Sequence, residues 1–381
     1  MNSRRFCVER MPLVSEGDDS HSFALARDLT SRFEWTGGLL LDAAWEAKPH
    51  WLVSRSAFER WFDIIEEELQ TTLGRRLAHA AADSEEARSE SYIRPRRFFG
   101  RFQATMDYLN ADWALRGLGR LESPAKPAKD PELDLEVEGR LLSCLSAGMA
   151  NAAWEWMVRR RYRFRWEDRG ADRAMVHLDL MPDEVAPPES TATAWPIPSE
   201  KVAEGTAIHP LVSPSQLGNG CWEVDQERHV LLSLDLIVRF ERMTSIYSDA
   251  TPLHTSLFDW GEFELGPSSA KVWSAMARSM YRIFVESDEL FLIAEPEQWL
   301  GATREPLSEH GLGFITSALA IDQHGGVELG FHSIFHPALV TGVLMGCWSR
   351  AHGRAPSGRW ALSDDGGLRL ALTAKDEIAP S

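Results

Sequence analysis

The sequence predicts an α+β fold built as an internal tandem duplication, each copy an antiparallel sheet with packed helices. Three observations predict it. One block of the chain matches another without a gap, strand and helix periods recur in the same order in both blocks, and a proline-rich stretch lies between them.

The match sets Leu133–Trp166 over Val327–Trp360 at a constant shift of 194. Its identities include Gly148/Gly342, Trp154/Trp348, Arg160/Arg354 and Arg165-Trp166/Arg359-Trp360. Aligned tryptophans weigh more than aligned leucines because the residue is rare. Two shorter matches precede it: Thr30–Trp35 with Thr255–Trp260, and Ser56 and Trp61 with Ser268 and Trp273. Their order along the chain suggests repeats rather than coincidence.

Leu133 to Glu138 alternates apolar with acidic residues, which predicts a strand with one solvated face. Its counterpart from Val327 to Phe331 follows a His-Gly-Gly turn and an apolar strand, Phe314 to Ile321. Helices follow at Leu141 to Val158 and from Pro337, a residue suited to a first helical turn. Mid-helix glycine costs about 1 kcal/mol against alanine, so the matched Gly148 and Gly342 imply close contact with a neighbouring element. Each block closes in a hairpin: Arg161 to Trp166 with Met175 to Leu180, then Arg359 to Leu362 with Leu368 to Thr373. Further helices are expected at Ala57 to Leu77, Thr105 to Arg116 and Ser269 to Val285, and a strand at Val230 to Phe240.

Seven prolines fall between Met181 and Gly220. Proline lacks the amide donor that helices and ladders need, so residues 181–220 read as a linker or surface arm. The expected domains are therefore 1–180 and 221–381.

With 57 acidic and 40 basic residues, the formal charge is -17. Such a charge opposes affinity for nucleic acid or an anionic membrane and suits solubility or a basic partner protein. Four scattered cysteines without a CxxC pair point to reduced thiols in a cytoplasm. Met1 to Val14 lacks a signal-peptide core, and Pro337 to Trp348 is shorter than the roughly 18 residues of a membrane span.

The chemistry-bearing candidates are few. Arg161, Arg163 and Arg165 alternate with Tyr162, Phe164 and Trp166, a pattern seen on nucleic-acid surfaces. Pairing with the alternating Asp134, Glu136 and Glu138 across strands would neutralise it. A second basic run spans Arg94 to Arg101. His324, His332 and His336 lie close together, but the strand-then-helix reading separates their directions, and no metal or other cofactor is expected. No nucleophile elbow, phosphate loop or dinucleotide fingerprint occurs, so no catalytic residue is assigned. Trp35, Trp154, Trp260 and Trp348 read as core residues. The acids in runs, Glu66, Glu67 and Glu68, Asp83, Glu85 and Glu86, and Asp364 and Asp365, are the expected contacts for a basic partner.

In overall character the chain resembles the immunity proteins of bacterial toxin systems. That resemblance implies a non-catalytic, cytoplasmic, protein-binding inhibitor of a basic toxin. The helix and hairpin from Gly148 to Leu180 are also similar to vinyl-reductase-type ligand-binding domains, which implies a sensor or carrier of a hydrophobic molecule. Those domains usually carry cysteine near the hairpin, where this chain has Ala174 and Leu368. An enzyme with an unrecognised site is the third reading.

Overall fold

Ser54 and Ser233 each end a strand and cap a helix. Ser54 Oγ accepts from the amide of Ala57 and Ser233 Oγ from that of Leu236, both at 3.2 Å. These bonds satisfy amides that a helix start leaves without partners. A computed structural model describes residues 16–92, 101–122, 132–182, 187–197, 209–249, 253, 257–287, 289–362 and 367–375. Asp364, Asp365 and most of the Arg94–Arg101 run lie outside the described residues.

The first half runs α1 (Glu16–Arg32), β1 (Phe33–Thr36), β2 (Leu39–Asp42), β3 (Lys48–Ser54), α2 (Arg55–Leu69), α3 (Gly74–Ser89), α4 (Arg101–Leu115), β4 (Arg120–Glu122), β5 (Glu132–Glu138), α5 (Ser143–Val158), β6 (Tyr162–Asp168) and β7 (Arg173–Leu180). The second runs β8 (Ser215–Gly218), β9 (Cys221–Val224), β10 (Glu227–Ser233), α6 (Leu234–Ile246), β11 (Phe258–Asp259), α7 (Pro267–Glu286), α8 (Trp299–Ala302), a π-helical turn (Arg304–Ser308), β12 (Gly313–Ala320), β13 (Val327–Ile334), α9 (Pro337–His352), β14 (Pro356–Leu362) and β15 (Leu368–Ala374).

Both halves share one sheet, ordered β1-β2-β3-β10-β9-β8. At its centre β3 and β10 pair antiparallel, with Leu52 opposite Leu231, His50 opposite Ser233 and Ser54 opposite His229. Exchanging the halves maps these pairs onto one another at an offset of 179, which places a pseudo-two-fold axis at the leucine pair. The relation continues outward. Leu52 donates its amide to the carbonyl of His310 (3.0 Å) and Leu231 to that of Arg116 (2.9 Å). Each acceptor precedes a Gly-Leu-Gly turn, Gly117–Gly119 and Gly311–Gly313, which carries the 194 offset upstream of the matched block. Gly117 and Gly311 both sit at φ +72°, and a β-carbon there would meet the carbonyls of His229 and His50 at 2.4 and 2.5 Å. Only glycine fits such a turn.

Each half adds its own sheet and a crossed helix pair. The first half has β4-β5-β7-β6 with α3 on α5, and the second β11-β14-β15-β13-β12 with α7 on α9. One apolar core, holding Trp61, Trp113 and Trp154 with Trp273, Trp299 and Trp348, runs through both halves. Leu29, Phe33, Leu40 and Trp222 belong to a smaller cluster. The α+β class and the repeated sheet-and-helix unit are thus present. Among the described residues no helix is long and apolar enough to cross a membrane.

The structure corrects several expectations. The expected helix from Ala57 to Leu77 is two, α2 and α3, broken where Gln70 takes a left-handed φ of 51°. The expected strand from Val230 to Phe240 stops at Ser233 and continues as α6. The two shorter repeat matches join unlike elements. Phe33–Trp35 lies in β1 and Phe258–Asp259 in β11; Trp61 lies on α2 and Trp273 on α7. The sheets are antiparallel except for β11, which runs parallel to β14. Finally, β5 and β6 are not neighbours. β7 lies between them, so its Arg173 meets Glu136 and Glu138, and its His177 meets Asp134.

Candidate functional site

The pseudo-two-fold axis supplies a control for any cavity, because each position has an equivalent in the other half. Beside the Gly-Leu-Gly turn of the second half a cleft of about 440 Å³ opens between β3, α2, α7 and α9. Its floor is apolar, from Trp51, Val53, Met280, Phe284, Leu312 and Val343. Its polar lining comprises Ser54, Ser56, Glu227, His229 and His310, and also Arg60 of α2 with Glu286, Ser287 and Glu289 at and beyond the end of α7. Ser56 Oγ lies 2.5 Å from Glu227 Oε1 and 3.1 Å from Ser54 Oγ.

Both histidines are fixed through Nδ1. His310 Nδ1 lies 2.9 Å from the Leu52 carbonyl, and His229 Nδ1 lies 2.8 Å from that of Glu227. A carbonyl can only accept, so each Nδ1 donates; in a neutral ring held this way Nε2 is the acceptor. Burial lowers the pKa of His229, and the proximity of His310 lowers it further, against the pull of the Glu227 carbonyl. His229 is therefore neutral at pH 7. Its ring also stacks on Trp222, 6.4 Å between centroids and 7° between planes.

In the first half the same location is closed. Leu118, Met149, Leu232, Ser233 and Leu236 replace Leu312, Val343, Val53, Ser54 and Ala57, around a residual void of about 20 Å³. Glu85 stands where the second half has Phe284, and Arg116 where it has His310. Their side chains meet at 3.0 Å. The plug is the end of a buried network. Asp112 takes Arg116 at 2.6 Å, Arg88 at 3.0 Å and Arg32 at 2.5 Å, while Asp42 takes Arg88 at 2.7 Å and Arg32 at 3.1 Å. Trp113 Nε1 donates to Glu85 at 2.9 Å, and Tyr92 Oη lies 2.7 Å from the same oxygen. Three guanidinium groups face three carboxylates, so the charge closes to zero. Burial alone would raise the Asp112 carboxyl, but Arg116, Arg88 and Arg32 hold it well below its usual range. Such a network costs desolvation and fixes geometry. The first copy of the site has become structure.

No protein-family model, curated protein or solved structure matches this chain. The internal comparison between the two halves therefore carries the argument.

The acids expected to meet a partner are largely engaged within the chain. Glu66 accepts from the Leu73 amide at 2.5 Å, and Glu67 and Glu68 tie α2 to Arg282 and Arg278 of α7, each at 2.9 Å. Glu85, expected to be exposed, is 3 % exposed and belongs to the plug. Glu86 binds Arg161, which also binds Glu155. Asp83 is half-buried, and burial raises its pKa against the opposing charge of Arg239. The three histidines read together from sequence are dispersed. His332 lies on β13, and His336 is fully buried as the cap of α9, its Nε2 3.3 Å from Glu241.

His229 and His310 were not among the residues singled out from sequence. The signal that finds them is the repeat itself: His-x-x-x-Ser at 50–54 and 229–233, and Gly-Leu-Gly preceded by Arg116 in one copy and His310 in the other.

Proposed function

We propose that this chain is a small-molecule binding protein, a sensor or carrier of an apolar molecule bearing one hydrogen-bond-donating head. The observation that carries the reading is the asymmetry between equivalent sites, one closed by Glu85 and Arg116, the other open beside Phe284 and His310. The open cleft falls within the roughly 300–1,000 Å³ of small-molecule sites, and it sets an apolar floor against polar and charged walls. The neutral imidazole of His229, with Nε2 as acceptor, suits a hydroxyl or amine on the ligand. Ser54 Oγ is occupied as a helix cap and neither histidine bonds a serine, so the geometry supports binding better than nucleophilic chemistry.

The probe is 2-naphthol, an apolar bicycle with one hydroxyl, titrated by fluorescence against the full chain. It should bind, and the double substitution Phe284→Glu with His310→Arg, which copies the plug, should weaken it at least tenfold. Val343→Phe, which adds bulk to the floor without charge, should do the same. Equal binding to all three proteins, or none to the unmodified chain, would reject the reading.

An inhibitor of a basic protein is the second reading. It draws on Leu290 and Leu292, 90 % and 81 % exposed and flanked by the exposed Glu289 and Glu295. Apolar side chains ringed by acids fit the core and rim of an interface. A toxin as the partner would be seen by co-expressing the neighbouring open reading frame. Toxicity unaffected by this chain, with no complex on purification, rejects that reading.

A further inference from the structure

The second half covers a sheet edge that the first half leaves open. In the second half β11 lies parallel to β14, with Phe258 opposite Gly358 and Asp259 opposite Arg359. Gly358 donates its amide to Leu257 at 2.8 Å, and Asp259 pairs with Arg359 at 3.1 Å. The aromatic residues of this segment fill the space beneath. Trp260 meets Trp273 edge-on at 5.2 Å and donates to Ser274 Oγ at 3.2 Å, while Phe263 lies 5.6 Å from Trp360.

β11 belongs to the 20-residue connection between α6 and α7. The equivalent connection, between α2 and α3, has four residues, Gln70 to Leu73. Fully extended it reaches about 14 Å and must return directly to α3, so it has no strand to lend. Among the described residues β6, the counterpart of β14, is therefore the outer strand of its sheet. A groove of about 850 Å³ lies where β11 and its aromatic residues would be. Phe164 and Trp166 line it, and Arg75 stands at the position of Ser274. Arg75, Arg163 and Arg165 have no carboxylate within ion-pair distance among the described residues. Arg165 occupies the position of Arg359.

We propose that the β6 edge takes up an extended segment of a partner protein by parallel strand addition. The segment carries an acid that meets Arg165, with apolar or aromatic neighbours against Phe164 and Trp166. Strand addition supplies affinity through main-chain bonds and specificity through alternate side chains. Arginine beside aromatic rings also suits single-stranded nucleic acid. The net charge of -17, with Asp83, Glu86 and Glu155 in the groove, favours the peptide.

The chain contains its own probe, the heptapeptide Leu257–Phe263. Added to the full-length protein, it should bind and slow amide exchange at Phe164, the counterpart of Gly358, and at Trp166 two residues on, whose amides face away from β7. Arg165→Glu, at an exposed position, should weaken binding at least tenfold, and a peptide with lysine in place of Asp259 should bind Arg165→Glu better than the unmodified protein. Four outcomes overturn the proposal: no binding; binding indifferent to Arg165; Phe164 and Trp166 amides already slow in the free protein, which assigns the edge to another segment of this chain, or to a second copy if the slowing grows with concentration; or an oligonucleotide that competes with the peptide through Arg165.

Discussion

Gly148 of α5 lies against the carbonyl of Ala78 on α3, so close that a β-carbon would stand 1.9 Å from that oxygen. Gly342 stands in the same relation to Ala277, at 2.2 Å. Each glycine sets the spacing of a crossed helix pair that roofs its own sheet. Gly148→Ala and Gly342→Ala must push backbones apart and should each cost about 1–3 kcal/mol in urea unfolding. Unchanged midpoints would mean that the helices tolerate separation.

Trp154 and Trp348, the matched tryptophans further along the same helices, have no exposed surface. Replacing either by alanine should destabilise the chain by about 3–5 kcal/mol, as for other emptied aromatic sites. A barely shifted melting point with a loss of ligand or peptide binding would assign them to recognition instead.

Removing one member of the buried network should cost more than its net worth. Arg116→Met takes from buried Glu85 the guanidinium that faces it at 3.0 Å and from Asp112 one of three, a loss of about 3–5 kcal/mol. Restoring neutrality with Arg116→Met and Glu85→Gln together should recover part of it. A double variant no more stable than the single one would contradict this account.

His50 gives stability a pH dependence of definite sign. Burial first, then the charges of Arg88 and Arg116, push its pKa down to about 3, against the pull of Asp42. The unfolded chain takes up the proton near the ordinary value of 6.5, and the folded chain refuses it. Stability is thus full above pH 6.5 and falls as the pH drops toward 3, on the order of 1 kcal/mol per unit from this group. Melting curves from pH 7 to 4 should record the fall, and His50→Gln should flatten it. Equal slopes for both proteins would remove His50 as the cause.

Proteolysis should cut first within 181–220, where proline density is highest. Yet Trp195 in this stretch is buried against Trp273, and Arg239 and Arg242 bond the carbonyls of Glu189 and Ala192. The nicked halves should therefore elute together without denaturant. First cuts within Leu133–Trp166 would contradict the division.

Much of this architecture was legible because it repeats. The 194-residue shift marked α5 against α9 and both closing hairpins, and the matched glycines foretold their contact. What escaped has a physical reason in each case. Leu234 to Phe240 is buried on every side, Asp235 and Arg239 included, so its apolar run reads as a continuation of the strand that ends at Ser233, although the serine cap and the Asp235–Arg239 pair four residues apart mark a helix. The central sheet escaped because β3 and β10 pair at a separation of 179 residues between Leu52 and Leu231, a contact that no local pattern marks. Charge alternation on β5 and β6 suggested a direct pairing, whereas both strands pair with β7. The cleft escaped because its histidines belong to separate strands and turns, and only the divergence between Arg116 and His310 distinguishes an open copy from a filled one.

The central sheet also has a consequence for how the chain is made. Strand β3 ends at Ser54, but its partner β10 is complete only at Ser233. A ribosome adding about 5–20 residues per second needs roughly 10–40 s to bridge that interval. Throughout it, the emerging chain carries Trp51, Leu52 and Val53 on a strand with one unpaired edge, a template for any other nascent copy nearby. Such an edge, held open by a distant contact, slows folding and exposes the half-made protein to association. A message broken before residue 233 would therefore release chains prone to pair with one another through β3.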